Sequence, residues 1–134
     1  MLKLKRETDL GLVLLEELTD LAPGKYLSLQ PWANKRHLPY RFLSKVAGNL
    51  KRSGLVVAKE GKDGGYRLAK NPAKIKLGQA IKALEGSLAL TRCHAGAKCS
   101  CRQFCQHRSL MGRLGQTLEN ELDKVSLQTL YAGD

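Results

Sequence analysis

The stretch PYRFLSKVAGNLKRSGLVVAKEGKDGGYRLAK, residues 39–70, changes its hydrophobic period part-way along, and that change decides the fold. Before Gly54, residues Phe42, Leu43, Val46 and Leu50 share one face of a helix that Pro39 can open and Gly54 can close. The other face carries Arg41, Ser44, Lys45, Asn49 and Arg52. After Gly54 come LVVAK, EGKDGG and YRLAK, two extended runs around a glycine-rich turn, which predict a hairpin.

Upstream, Leu10, Val13, Leu14, Leu18 and Leu21 recur at helical spacing after Thr8 or Asp9 as cap, and Pro23-Gly24 ends that helix. A short second helix runs from Ser28 as cap through Trp32, Ala33 and Lys35, ending before His37 and Pro39. Three helices and a hairpin predict a winged helix-turn-helix, in which the third helix enters the major groove and the wing reaches the neighbouring backbone. Downstream, Leu77, Ala80, Ile81 and Leu84 suggest a fourth helix ended by Gly86. A last helix carries Leu110, Leu114, Leu118, Leu122 and Val125 at steps of three and four, a stripe suited to packing against a second copy of the chain. The expected fold class is mainly α with a small β-hairpin, divided into a DNA-binding domain (1–86), a cysteine-rich loop (87–108) and a dimerisation helix with its tail (109–134).

Charge agrees with a polyanionic partner. Residues 35–76 carry 12 Lys or Arg against 2 acids, so nearly all of the net charge of +11 lies in the middle third. A solvated surface usually mixes signs, whereas a localised basic block favours nucleic acid before membrane. Arg41, Ser44 and Lys45 are candidates for base edges. Lys51, Arg52, Lys62 and Arg67, with Lys59, are candidates for phosphates, and Ser28 and Tyr40 complete the candidate DNA contacts. Gly61, Gly64 and Gly65 would permit a tight wing tip.

All four cysteines, Cys93, Cys99, Cys101 and Cys105, fall within TRCHAGAKCSCRQFC, residues 91–105. Two disulfides inside so short a loop would close only small rings. The N-terminus MLKLKRETDLG lacks the apolar core of a secretory signal, and no stretch approaches the roughly 18 apolar residues of a membrane span. A cytoplasmic location with reduced thiols is therefore expected, where a cysteine cluster more often binds metal or performs redox chemistry. The Cys-x2-Cys or Cys-x4-Cys pairs of structural zinc sites are absent. Instead, five residues separate Cys93 from Cys99 and Cys99 from Cys105, so three thiolates could line a broad cup around something larger than one ion. Cys101, one residue beyond Cys99, could join the same cluster only through a strained backbone, which makes it a spare thiol or an alternative ligand. Ala95, Gly96, Ala97 and Ser100 let the loop curl, and Arg92, Lys98 and Arg102 favour thiolates.

Several segments together resemble the winged-helix iron-sulfur transcriptional regulators, the family that includes IscR-like and NsrR-like members. They are KRETDLGL, LSKVAGNLKRSGLV followed by GGYRLAK, LGQAIKALEG, and Cys-x5-Cys-x5-Cys. The resemblance covers nearly the whole chain. It implies a homodimeric repressor or activator, repressor favoured, that binds an operator of two half-sites in double-stranded DNA and senses nitric oxide, redox state or iron-sulfur status. It further implies an iron-sulfur cluster held by Cys93, Cys99 and Cys105, [4Fe-4S] favoured over [2Fe-2S].

In IscR-like members a histidine follows the third cysteine by three residues, but here that position is Arg108, with His107 one step early. In NsrR-like members the fourth ligand resembles the aspartate of an N-terminal Thr-Asp pair donated by the other subunit, and Thr8-Asp9 matches. Asp9 is the expected fourth ligand, with helix capping as its ordinary role and Cys101 and His107 as alternatives. His94 reads as a solvent-exposed loop residue. A cluster-free regulator using thiols or zinc keeps every basic feature, whereas an electron carrier leaves the basic block unexplained. No phosphate loop, acid-base pair or nucleophile motif points to an enzyme.

Overall fold

The computed structural model describes residues 3–131. Six α-helices are present among them: α1 (Arg6–Thr19), α2 (Leu29–Lys35), α3 (Tyr40–Arg52), α4 (Leu77–Glu85), α5 (Gln106–Asp123) and α6 (Leu127–Tyr131). Strands β1 (Val56–Lys59) and β2 (Gly65–Leu68) form an antiparallel hairpin between α3 and α4. This is the expected winged helix-turn-helix, mainly helical with one two-stranded wing.

The period of α3 explains how it is seated. Leu43, Val46, Ala47 and Leu50 are fully buried, and they meet Leu14 and Leu15 of α1, Ala33 of α2 and Val56 of β1 in one core. Burying each leucine contributes roughly 1.5–3 kcal/mol. One expectation fails here: Phe42 is 39% exposed, and Ala47 completes the apolar face instead. Each residue turns a helix by about 100°, so Phe42 stands to one side of the stripe centred on Leu43, Val46 and Leu50.

Two helix starts also differ from expectation. Helix α1 begins at Arg6, earlier than a Thr8 or Asp9 cap would place it, so both residues lie in its first turn. Pro39 sits at the cap of α3 and not in its first turn, whereas α2 starts as expected with Ser28 at its cap position, though without a side-chain hydrogen bond. Between α2 and α3 the chain turns through His37 in a left-handed conformation, φ 57°. Leu38 N–H donates to Ala33 O at 2.8 Å and His37 N–H to Asn34 O at 3.2 Å, the pairing that closes a helix at a left-handed residue.

The wing is tied back to the helices by a third extended segment. Leu27 N–H donates to Tyr66 O at 2.7 Å and Tyr66 N–H to Leu27 O at 2.9 Å. Gly65 makes this approach possible: its φ is 143°, and a Cβ there would lie 2.0 Å from Leu27 O.

Downstream, the leucine-rich helix is broken where a continuous one was expected. Helix α5 stops at Asp123, and residues 125–127 pair with residues 75–77 through Leu77 N–H to Val125 O (2.8 Å) and Leu127 N–H to Ile75 O (2.9 Å). Leu127 is then fully buried in the core, and the Tyr131 hydroxyl donates to Leu12 O at 2.8 Å. Helix α5 itself buries no residue, and Leu110, Leu114 and Leu118 are exposed. No helix among the described residues is long and apolar enough to cross a membrane.

Candidate functional site

The basic face of α3 is free of the core because the core takes the opposite face. Tyr40, Arg41, Lys45, Lys51 and Arg52 are exposed and Ser44 is half-buried, so every base-edge or phosphate candidate on this helix reaches the surface. Arg52 donates to the Asn49 side chain, which holds its guanidinium along the helix. Lys45 Nζ lies 4.0 Å from Glu7 Oε1 on α1. Ser28 is exposed beside the wing, at a cleft of about 460 Å³ whose lining includes Lys25, Tyr26, Lys59 and Lys62. Lys62 and Arg67 are exposed on the wing.

Sequence reasoning missed Tyr26. Its ring lies beneath two wing cations, with Lys59 Nζ 5.6 Å and Arg67 Cζ 5.3 Å from the centroid. A signal was available, since a tyrosine next to a segment that pairs with a basic strand has a cation within reach. The pairing partner of that segment was invisible locally.

The cysteines occupy the connection from α4 to α5, where only turns form. Residues 94–104 are all exposed, and Cys93 and Cys105 are half-buried at the edges. The loop brings Cys99 and Cys101 together, Sγ to Sγ 3.2 Å. A hydrogen bond from Cys101 holds the Cys99 thiol below the ordinary thiol range. Giving that bond, next to negative charge on Cys99 and Cys105, pushes Cys101 up. Cys93 stands apart, its sulfur 3.2 Å from Thr91 Oγ1 and 3.7 Å from His94 Nδ1. His94 is exposed, with Nδ1 2.8 Å from Thr91 Oγ1, and its ring rests against Gly112 of α5, where a Cβ would lie 3.0 Å from Nε2.

Asp9 is exposed on the first turn of α1, and His107 is exposed near the start of α5. Among the described residues, no three His, Cys, Asp or Glu side chains are grouped to hold a metal ion. The donor chemistry nonetheless fits an iron-sulfur group: four free thiols stand on an exposed loop without regular structure, flanked by Arg92, Lys98 and Arg102. Such a loop can gather Cys93, Cys99 and Cys105 without disturbing the core.

The start of α1 connects this loop to α3. Thr8 is fully buried, and its hydroxyl donates to Glu85 Oε1 at 2.8 Å, as does Lys5 N–H. Lys5 Nζ reaches Glu85 O at 3.0 Å. Glu85 is the last residue of α4, and the loop leaves immediately after it. The turn that holds Thr8 also holds Glu7, which faces Lys45 of α3.

Comparison with known proteins agrees with this architecture. The Rrf2 family, described as an iron-dependent transcriptional regulator, matches residues 4–133. An HTH-type transcriptional regulator of Neisseria meningitidis serogroup A is 30% identical over 128 residues, 93% of this chain and 86% of that protein. IscR of Aliivibrio salmonicida is 30% identical over 98 residues, 73% of this chain and 58% of IscR. Among solved structures, CymR of B. subtilis, a global cysteine regulator, superposes with a TM-score of 0.77 at 27% identity over the whole of both chains. With the wing, the basic α3 and the matched length all in agreement, the chain belongs to the Rrf2 family of transcriptional regulators, and it is not an enzyme.

Proposed function

We propose that this chain is a cytoplasmic, homodimeric repressor whose cysteine loop holds an iron-sulfur cluster and whose winged helices bind an operator of two half-sites. The observation that carries the reading is the position of the four thiols, on the one long irregular segment between a packed basic winged helix and a helix with an uncovered leucine stripe. Cys93, Cys99 and Cys105 would be the thiolate ligands and Asp9 of a second copy the fourth, with Cys101 and His107 as alternatives. When bound, a cluster of the [4Fe-4S] type supplies an iron site open to nitric oxide, oxygen or iron loss at its weakest ligand. Leu110, Leu114 and Leu118 would pack against the same stripe of the second copy, removing exposed apolar surface from water.

The hydrogen bonds at the start of α1 support a route from loop to DNA. Release of Asp9 would loosen the first turn, whose Thr8 is anchored on Glu85 and whose Glu7 faces Lys45. Two recognition helices must sit about one DNA turn apart, so a small shift of one winged helix would misplace a half-site. The test is anaerobic purification followed by absorbance, iron and sulfide assays, repeated with Asp9→Ala. A broad iron-sulfur band with inorganic sulfide supports the reading, and their absence overturns it. An unchanged cluster in Asp9→Ala removes Asp9 from the ligand set.

A second reading is favoured by one contact. The 3.2 Å approach of Cys99 to Cys101, with Cys99 held low, suits a cluster-free regulator that uses its thiols directly. Loss of two titratable thiols on mild oxidation of sulfide-free protein, together with altered DNA binding, would select it.

A further inference from the structure

We infer that Tyr26 is a positioning residue for DNA, holding Lys59 and Arg67 of the wing side by side as a seat for a backbone phosphate. The inference rests on the reading of the chain as a DNA-binding regulator and adds a contact that the helix-turn-helix pattern does not imply.

The register of the wing places these groups. Val57 pairs with Arg67 and Lys59 with Gly65, so Arg67 and Lys59 project from the same face of the hairpin, opposite to the face of Val56 and Leu68 that meets the core. The segment before α2 extends the sheet, because Leu27 pairs with Tyr66 in antiparallel sense. Antiparallel pairing then sets Tyr26 opposite Arg67, while Lys59 reaches the ring from β1 across the side-chain-free Gly65. The measured approaches follow: 5.3 Å from ring centroid to guanidinium carbon and 5.6 Å to ammonium nitrogen.

Two cations over one ring attract the ring and repel each other. Among the described residues, neither Lys59 nor Arg67 has a carboxylate partner in ion-pair range. Their convergence therefore leaves a net positive charge beside the cleft lined by Lys59, Lys25, Lys62 and Ser28, where three lysines stand against the single carboxylate of Asp63. An anion with several acceptor oxygens satisfies that arrangement, and on a wing that flanks a recognition helix the anion is a DNA phosphate. Tyr26 does not need to touch the phosphate. It limits the rotamers of two flexible side chains before DNA arrives, and so lowers the ordering cost of the contact.

The test measures binding of the full chain to a duplex from its own promoter and to a random duplex of equal length, over a salt series. Tyr26→Phe keeps the aromatic face and is expected to bind like the parent. Tyr26→Leu is expected to bind both duplexes roughly five- to twentyfold more weakly, with a salt slope smaller in magnitude by about one. In the background Lys59→Gln with Arg67→Gln, Tyr26→Leu is expected to add nothing, which separates positioning from general damage to the fold. Equal binding by Tyr26→Leu and the parent, or an equal loss in Tyr26→Phe, overturns the inference while leaving the regulator reading intact. Absence of salt-dependent binding by the parent overturns both.

Discussion

The winged helix and the cysteine loop differ in what determines their shape. In the former, Leu14, Leu15, Leu43, Val46, Leu50, Val56 and Ile75 are fully buried and fix α1, α3 and the wing in one arrangement. In the latter, residues 94–104 are exposed and only turns form. Hydrophobic packing therefore dictates the geometry of the basic winged-helix surface, whereas no such packing fixes that of the loop. Under the proposed function this division is useful, because the winged helix would stay rigid on DNA while the cysteine loop rearranges at little cost.

Stability should separate the two regions most widely. Leu43→Ala removes a fully buried side chain from the centre of α3 and is expected to cost about 2–5 kcal/mol, a large share of the 5–15 kcal/mol typical of a domain. Phe104→Ala, in the loop and 86% exposed, is expected to stay within about 0.5 kcal/mol. Urea unfolding monitored by circular dichroism compares the two, and similar losses would mean that the loop is packed after all.

Charge should separate the regions as packing does. Arg41→Ala on α3 is expected to weaken operator binding by about 1–3 kcal/mol and to relax preference at one base position. Arg102→Ala in the loop is expected to leave salt dependence and sequence preference unchanged, as a filter-binding or anisotropy titration can show. At the junction between the regions, Thr8→Val removes the hydroxyl donated to Glu85 and is expected to cost about 1–2 kcal/mol in urea unfolding. Its effect on DNA affinity should exceed that of Arg102→Ala if the first turn of α1 links loop to α3.

The smallest effect concerns the return of the chain to the winged helix. Burial, then the nearby charge of Glu16, pushes the Tyr131 hydroxyl up to about 12. A raised folded-state value means that the stabilising contribution is complete below the unfolded value near 10 and is lost as pH climbs toward 12. Because Tyr131 is only half-buried, the expected loss is about 1 kcal/mol, and Tyr131→Phe should flatten stability across that window.

The legibility of the sequence follows the same division. The switch from helical period to hairpin at Gly54 was readable because the core enforces periodicity on α3, β1 and β2. Phe42 misled because it is large and adjacent to the stripe, while small Ala47 escaped notice on the true face. The break after Asp123 was not readable, since it is stabilised by pairing of residues 125–127 with residues 75–77, far away in the chain. In the loop, spacing marked Cys93, Cys99 and Cys105 as donors and left Cys101 as the doubtful thiol. Their arrangement has no local signature, and the contact that forms is between Cys99 and Cys101.

Whether the loop's thiols govern the DNA affinity of the winged helix through a bound cluster is decided by one anaerobic titration. Protein reconstituted with iron and sulfide is titrated into its own promoter duplex before and after removal of the cluster with a chelator. Affinity is expected to differ at least tenfold between the two samples while far-ultraviolet circular dichroism of the helices stays the same. Equal affinity in the presence of a verified cluster, or failure of the protein to take up iron and sulfide at all, would contradict such control.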